Sequence, residues 1–457
     1  MRIDKQTDFD QENLGFCEID QGFGIREAIA EAKRCLQCKN PTCQVGCPIS
    51  NDIPRFVHAL AQGNIGEAEK IIAVRSSLPA VCGRVCPHEK QCEGSCILNR
   101  KNIPIRIGKL ERFIADFSAE MGIQSPEKIS FDKGKVAVIG SGPAGLTVAG
   151  DLGKMGFQVT VYESQAEAGG VLMYGIPEFR LSREVVRREI EKIQQFGVQF
   201  HTGIVVGKDI TIEEMLGSGF DAVFIGTGTA LPKTLNIPGK DLPGVIQAMY
   251  LLRMVILYNN GDVDRVEVPI EHGDRVVVIG AGNVAIDAAR TALRLGASAV
   301  TIVYRRTLES MPALRTEYDQ AVNEGVEFLW LASPTGMLGE CALEELEYEV
   351  QALGDQGEII PTGVRKRIAV DKIVLAIGQR PAAKIISTTQ GLDVNAEGYL
   401  ITRERPYGMT TRKGVFAGGD IVHEPATVVL AMKEAKRVAA GIVQYVEAKK
   451  LMEELEE

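Results

Sequence analysis

No stretch of this 457-residue chain is long and apolar enough to cross a bilayer, which takes about 18 apolar residues in a row. The nearest, Met249–Tyr258 (MYLLRMVILY), is short and interrupted by Arg253, and it reads as a buried helix. The opening MRIDKQTDFDQEN lacks the apolar core of a secretory signal. The expected location is therefore cytoplasmic and reducing, where cysteines bind metal rather than pair as disulfides. Positive charge is outweighed: 51 Lys and Arg against 60 Asp and Glu leave a net charge of −9. That balance argues against a sequence-independent grip on nucleic acid phosphates. The five histidines, His58, His88, His201, His272 and His423, form no evident nucleophilic constellation.

What is present belongs to an ordinary globular protein: 45% hydrophobic and 24% charged residues, with length for two to four domains. The 48 glycines against 19 prolines point to many tight strand–turn–helix junctions rather than disorder. The cysteines are not spread evenly. Eight of the ten fall between Cys35 and Cys96, in two blocks.

The first block is Cys35-x2-Cys38-x4-Cys43-x3-Cys47-Pro48 and the second Cys82-x3-Cys86-Pro87-x4-Cys92-x3-Cys96. Cys-x3-Cys places two thiolates on one face of a helical turn, and the Cys-Pro steps are those of ferredoxin ligand runs. Soft thiolates suit zinc or iron–sulfur clusters. Structural zinc usually takes two Cys-x2-Cys knuckles separated by a longer loop. Four ligands within thirteen residues wrap a cubane better, so iron–sulfur is favoured over zinc and over reduced structural cysteines. Cys17 and Cys341 stand alone and read as inert.

Residues 1 to about 125 lack β-branched strand runs, and stretches such as Gly24–Lys33 and Pro54–Ala73 have helical periodicity. After a polar linker, Ser125–Lys135, short β-rich runs alternate with helices, the signature of parallel sheets. The unit Lys135–Ile139, glycine loop, helix from about Ala144 to Met155 and strand Gln158–Tyr162 recurs about 140 residues later. There it reads Arg275–Ile279, glycine loop, helix to about Leu295 and strand Ala299–Tyr304. A terminal helix is expected from about Ala426 to Glu447, with LMEELEE as a solvated end.

The first loop is Gly140-Ser-Gly142-Pro143-Ala144-Gly145. Its first glycine permits the turn, its second lets backbone approach a pyrophosphate, and its third allows close helix–strand packing. Glu163, at the end of the next strand, can accept hydrogen bonds from ribose hydroxyls, which fits FAD or NAD. The second loop, Gly280-Ala-Gly282-Asn283-Val284-Ala285, ends in alanine, and its next strand runs into Arg305-Arg306. Arginines there can pair with a 2′-phosphate, so this site reads as NADPH.

Together with GGVLMYGIPEFRL (169–181) and GVFAGGDI (414–421), these motifs resemble the small subunit of bacterial NADPH-dependent glutamate synthase. The same module resembles the N-terminal half of dihydropyrimidine dehydrogenase and the large subunit of NADH-dependent ferredoxin:NADP oxidoreductase. The resemblance covers essentially the whole chain and implies an α/β protein. An N-terminal α-helical domain (1–130) would bind two [4Fe–4S] clusters. Two Rossmann-like, glutathione-reductase-like domains would follow. FAD would occupy 131–255 and 381–457, with the NADPH domain, 256–380, inserted between them.

Carried over by position, Cys35, Cys38, Cys43 and Cys96 would hold one cluster, and Cys47, Cys86, Cys92 and Glu111 the other, leaving Cys82 spare. The resemblance also places Gly169-Gly170 and Tyr174-Gly175-Ile176-Pro177 along the isoalloxazine, and Gly228 near the cofactor. Gly419-Asp420 would meet the ribityl chain. The helix after Ala426-Thr427 would aim its N-terminus at the flavin pyrimidine edge, favouring the anionic reduced form. Flavin disulfide reductases carry a dithiol beside the flavin, but here only Cys341 follows Cys96, so none exists.

The expected function is electron input. NADPH would give hydride to FAD, and single electrons would then pass through two [4Fe–4S] clusters to a partner subunit resembling the glutamate synthase large subunit. No catalytic acid or base is assigned, because hydride transfer needs alignment and dryness rather than a protein base. One rival is a ferredoxin-linked subunit of a bifurcating NADH-dependent ferredoxin:NADP oxidoreductase, or another NADPH-dependent reductase. A more distant one is a zinc-stabilised nucleotide-binding protein without turnover.

Overall fold

A computed structural model describes residues 15–122, 130–382 and 384–456. The opening segment read above and linker positions 125–129 lie outside these. The described chain forms two compact units. One takes in Ile19–Met173, Arg180–Leu231 and Gln379–Glu457, and the other Tyr174–Phe179 and Pro232–Gly378 with the described residues up to Glu18.

The first unit begins with helices and no strand among the described residues up to 122. The run Pro54–Ala73 is two helices, Ile53–Ala61 and Ile65–Arg75, because Gly63 takes φ +78° and Asn64 caps the second by accepting from the Glu67 N–H at 3.1 Å. Ala28, Phe56, Val57, Leu60, Ile72, Leu110 and Ile114 form the core of this region, and Cys35, Cys43, Cys47, Cys92 and Cys96 pack against or within it. Helix Pro79–Val85 sits on helix Ile107–Glu120 so closely that a Cβ at Gly83 would lie 2.6 Å from the Arg112 nitrogen.

Behind these helices, a seven-stranded sheet runs in the order Thr402–Glu404, Tyr407–Thr410, Val415–Ala417, Ala222–Ile225, Lys135–Ile139, Gln158–Tyr162, Gln199–His201. The strands from Val415–Ala417 to Gln199–His201 are parallel and the first two pair antiparallel. Lys135–Ile139 is central and buried after its first residue, as a strand covered on both faces must be. The terminal helix extends over Val428–Glu456, so LMEELEE continues it up to Glu456 with exposed side chains, a correction to its reading as a loose end.

In the second unit, Val245–Gln247, Lys372–Leu375, Arg275–Ile279, Ala299–Tyr304 and Glu327–Trp330 form an all-parallel five-stranded sheet in that order. Helix Ala248–Asn260 buries Leu251, Leu252, Val255 and Ile256 while Arg253 stays exposed, the reading given to MYLLRMVILY. An antiparallel meander, Ala332–Leu338, Glu345–Leu353 and Ile359–Ala369, interrupts the alternation of strand and helix. Its third strand is exposed along almost its whole length, so it carries no in–out hydrophobic alternation. Among the described residues no helix is long and apolar enough to cross a membrane.

Candidate functional site

The first glycine loop joins the central strand to helix Pro143–Lys154. Gly140 takes φ +91°, and a Cβ there would lie 2.8 Å from the Gly226 carbonyl oxygen. A Cβ at Gly145 would overlap the Gly140 carbonyl oxygen. At Gly142 it would meet nothing within 4 Å, so an open cradle lies before the helix N-terminus, where backbone N–H groups and the dipole favour phosphate. The cradle is framed by Gly170, where a Cβ would lie 2.7 Å from the Gly142 Cα, and by Ala144 against Gly419. Gly228 also faces open space.

Glu163 is buried and already engaged. Its Oε2 accepts from the Ser141 N–H at 3.0 Å and the Ser141 hydroxyl at 2.5 Å. Its Oε1 accepts from the Gln165 N–H at 2.8 Å and the Ser164 hydroxyl at 3.1 Å. The Ser141 oxygen accepts in turn from the Gly169 N–H at 2.9 Å. Sequence reading gave Glu163 to a ribose and passed over Ser141. The structure shows one polar relay that binds strand end, phosphate loop and Gly169 together, and only the mobile Ser164 hydroxyl is readily exchanged for a sugar hydroxyl. Asp420 lies in the same unit. Burial raises its pKa to about 6, partly offset by His423, an environment suited to sharing a proton with an alcohol. Thr427 accepts from the Leu430 N–H at 3.4 Å and so opens the terminal helix. Open cradles at Gly142 and Gly228 and two helix N-termini fit a flavin dinucleotide.

The cysteines do not group by sequence block. Cys43 is pushed up to about 11, by burial first and then by Cys96, with Cys35 and Cys38 adding to it. Cys35 is raised by burial, with Cys38 and Cys96 acting against its ionisation. These four thiols line one small cavity with Ile53, Pro54 and Val57. Cys47, also pushed up to about 11 by burial, faces Glu111 and Cys82 instead. Cys86 is raised first by a hydrogen bond with Cys82, then by burial, with Glu111 and Cys92 adding to it. Cys92 is raised by burial and by Glu93, Glu111 and Cys47.

Two sets thus share each block, and Glu111 sits with the second. It is buried on helix Ile107–Glu120, accepts from the Asn51 amide at 3.4 Å and is pushed up to about 8, by burial and then by Glu189. Asn51 and the fully buried Glu189, which pairs with Lys192 at 3.3 Å, are polar neighbours that sequence reading missed; neither lies in a motif. Among the described residues no three His, Cys, Asp or Glu side chains converge as ligands of a single ion would. Thiols spread round a cavity suit a cluster several atoms wide better than one tetrahedral zinc. Cys17 and Cys341 are exposed and apart from both sets.

In the other unit Gly280 takes φ +124° beneath the Ala376 carbonyl, and Gly282 faces open space before helix Asn283–Arg294. Ala285 is fully buried in that helix, while Asn283 is half-buried and Val284 exposed. Arg305 and Arg306 follow strand Ala299–Tyr304, are exposed, and have no ion-pair partner among the described residues. Tyr174, Gly175, Ile176 and Pro177 belong to this unit rather than to the one holding Gly170. Arg253 lies over the Tyr174 ring at 5.7 Å, and Arg290 and Arg294 lie over Phe179 at 4.8 and 4.1 Å.

Residues 11–123 match the family described as dihydropyrimidine dehydrogenase domain II, 4Fe-4S cluster. Residues 134–435 match the pyridine nucleotide-disulphide oxidoreductase family. The glutamate synthase [NADPH] small chain of Halomonas elongata is 37% identical over 94% of this chain and 93% of its own. That of Escherichia coli is 36% identical over 95% of this chain and 94% of its own. The chain belongs to the family of glutamate synthase small chains and their homologues. Its fold is also that of FprA from Mycobacterium tuberculosis, with TM-score 0.60 and 20% identity over 70% of this chain and 86% of that one. The small-chain family places a 4Fe-4S domain before two dinucleotide-binding domains, and the chain is an oxidoreductase of that type.

Proposed function

We propose that this small-chain homologue is an electron-input module that draws on NADPH and serves a partner subunit of the glutamate synthase large-chain type. The domains in this reading are 1–130 for two [4Fe–4S] clusters, 131–255 with 381–457 for FAD, and 256–380 for NADPH. When bound, FAD accepts a hydride as an electron pair and the clusters pass electrons on singly. The chain's part is binding and insulation. Gly280, Gly282 and the N-terminus of helix Asn283–Arg294 would hold the NADPH pyrophosphate, and Arg305 and Arg306 its 2′-phosphate. Gly140, Gly142, Gly145 and Glu163 would hold the FAD pyrophosphate side. Cys35, Cys38, Cys43 and Cys96 would hold one cluster, and Cys47, Cys86, Cys92 and Glu111 the other.

The observation that carries this reading is one contact. The Cys82 sulfur, hydrogen-bonded to Cys86, lies 3.6 Å from the Met432 sulfur on the helix that opens at Thr427. Cluster thiols and flavin helix are thus packed against each other within one compact unit.

An anaerobic absorbance titration with NADPH and, separately, NADH tests it. Flavin bleaching at the lower concentration of NADPH, over broad iron–sulfur absorbance, is expected; a preference for NADH would overturn the cofactor assignment. Glu111→Ala should lose or alter one cluster by iron analysis while Cys82→Ser leaves iron unchanged, and the reverse pattern would remove Glu111 from the ligand set.

A further inference from the structure

The charge of this chain is unevenly placed. Residues 33–51 and 94–110 contain seven Lys and Arg and no Asp or Glu, although the whole chain carries −9. These two segments meet around the first cysteine set. The Thr42 hydroxyl donates to the Ser95 carbonyl at 2.5 Å, the Arg34 guanidinium donates to the Ile103 carbonyl at 2.7 Å, and Leu36 and Ile97 line the cavity with Cys35, Cys38, Cys43 and Cys96. The same surface exposes apolar side chains: Leu36 by 57%, Val45 by 85% and Ile103 by 51%. Lys33, Lys39, Arg100 and Lys101 are exposed, and none has an ion-pair partner among the described residues. By contrast, Cys82, Cys86 and Cys92 of the other set are buried.

An apolar centre ringed by free cations, over thiols that are themselves half-exposed, has the form of a transient electron-transfer interface. Such interfaces use opposite charge to steer encounter and a small apolar patch to bring the redox centres close. Resting on the electron-input reading above, we propose that this surface docks the acidic, apolar-centred face of an iron–sulfur protein that accepts the electrons. The competing role for the same cations is local: offsetting the negative charge of a thiolate-ligated cluster, with no partner involved. The two roles differ in what salt and charge reversal do to association.

The test uses the reconstituted full chain and an acidic [2Fe–2S] ferredoxin as the probe. Affinity is measured by fluorescence anisotropy across ionic strength. NADPH-driven reduction of a neutral quinone such as menadione is followed alongside, because it needs no protein docking. Wild type should bind the ferredoxin at low salt and lose it as salt rises. Lys39→Glu with Lys101→Glu should raise Kd at least about tenfold and flatten the salt dependence, with iron content and quinone turnover unchanged. Val45→Glu should weaken binding without touching any cation. No wild-type binding at low salt, or reversal variants with unaltered Kd and salt dependence, would overturn the proposal and leave the cations as local charge balance. Loss of quinone reduction in the wild type would instead strike the electron-input reading, whatever the binding data show.

Discussion

The two glycine loops are built on the same strand–loop–helix frame, yet they differ at the third position and beyond the next strand. In the first, Gly145 is pressed against the Gly140 carbonyl, and the following strand ends in Glu163, whose carboxylate is locked to Ser141 and Gln165. In the second, Ala285 occupies the third position with its methyl fully buried, and the following strand ends in two free arginines. The first loop is therefore closed and cross-braced, fitted to a dinucleotide that stays. The second is anchored less tightly and ends in unpaired charge, fitted to one that comes and goes and is selected by its extra phosphate. Rigidity and selectivity have been placed in different copies of one motif.

The largest effect should come from removing the packing difference. Gly145→Ala puts a methyl where the Gly140 carbonyl stands, and backbone cannot swing aside as a flexible side chain can. About 3 kcal/mol of destabilisation is expected, with purified protein that has lost its flavin absorbance. Retention of flavin and an unchanged melting temperature would mean the loop relaxes as freely as its second copy.

The charge difference gives the next effect. Replacing Arg305 and Arg306 together by Ala should raise the KM for NADPH by about a hundredfold, from the loss of two charge-assisted hydrogen bonds of about 1.5 kcal/mol each. The KM for NADH should stay within about twofold. Equal losses with both nucleotides would make the arginines structural. This pair shows what a sequence can disclose. Arg305 and Arg306 were legible because their place after a Rossmann strand fixes where their charge lies relative to a ribose, and the structure finds them unpaired.

Less visible was anything defined by contacts between distant segments. Ser141 sits inside a recognised motif, but its bond to Gly169 depends on packing that no spacing encodes. The exposed strand Ile359–Ala369 has no apolar face to mark it, so the antiparallel meander went unread. Two helices were seen as one continuous periodic run because Gln62-Gly63-Asn64 breaks the backbone without breaking the apolar pattern. The interleaving of the cysteine sets came from family resemblance rather than from spacing, which alone would have paired each block with itself. The thiols' electrostatic neighbours divide in the same interleaved way.

The smallest expected change asks whether the alanine of the second loop matters in its own right. Ala285→Gly restores the consensus third glycine and removes one buried methyl from helix Asn283–Arg294. If the second loop merely tolerates alanine, the variant should lose about 1 kcal/mol, from lower helix propensity and a small void, read as a modest drop in melting temperature. NADPH affinity should then be unchanged, since Gly282 rather than Ala285 faces the open cradle. A tighter NADPH affinity in Ala285→Gly would mean that the methyl holds helix and strand apart and keeps the cradle loose. The difference between the two loops would then be one of tuned grip on the nucleotide, and not only of packing.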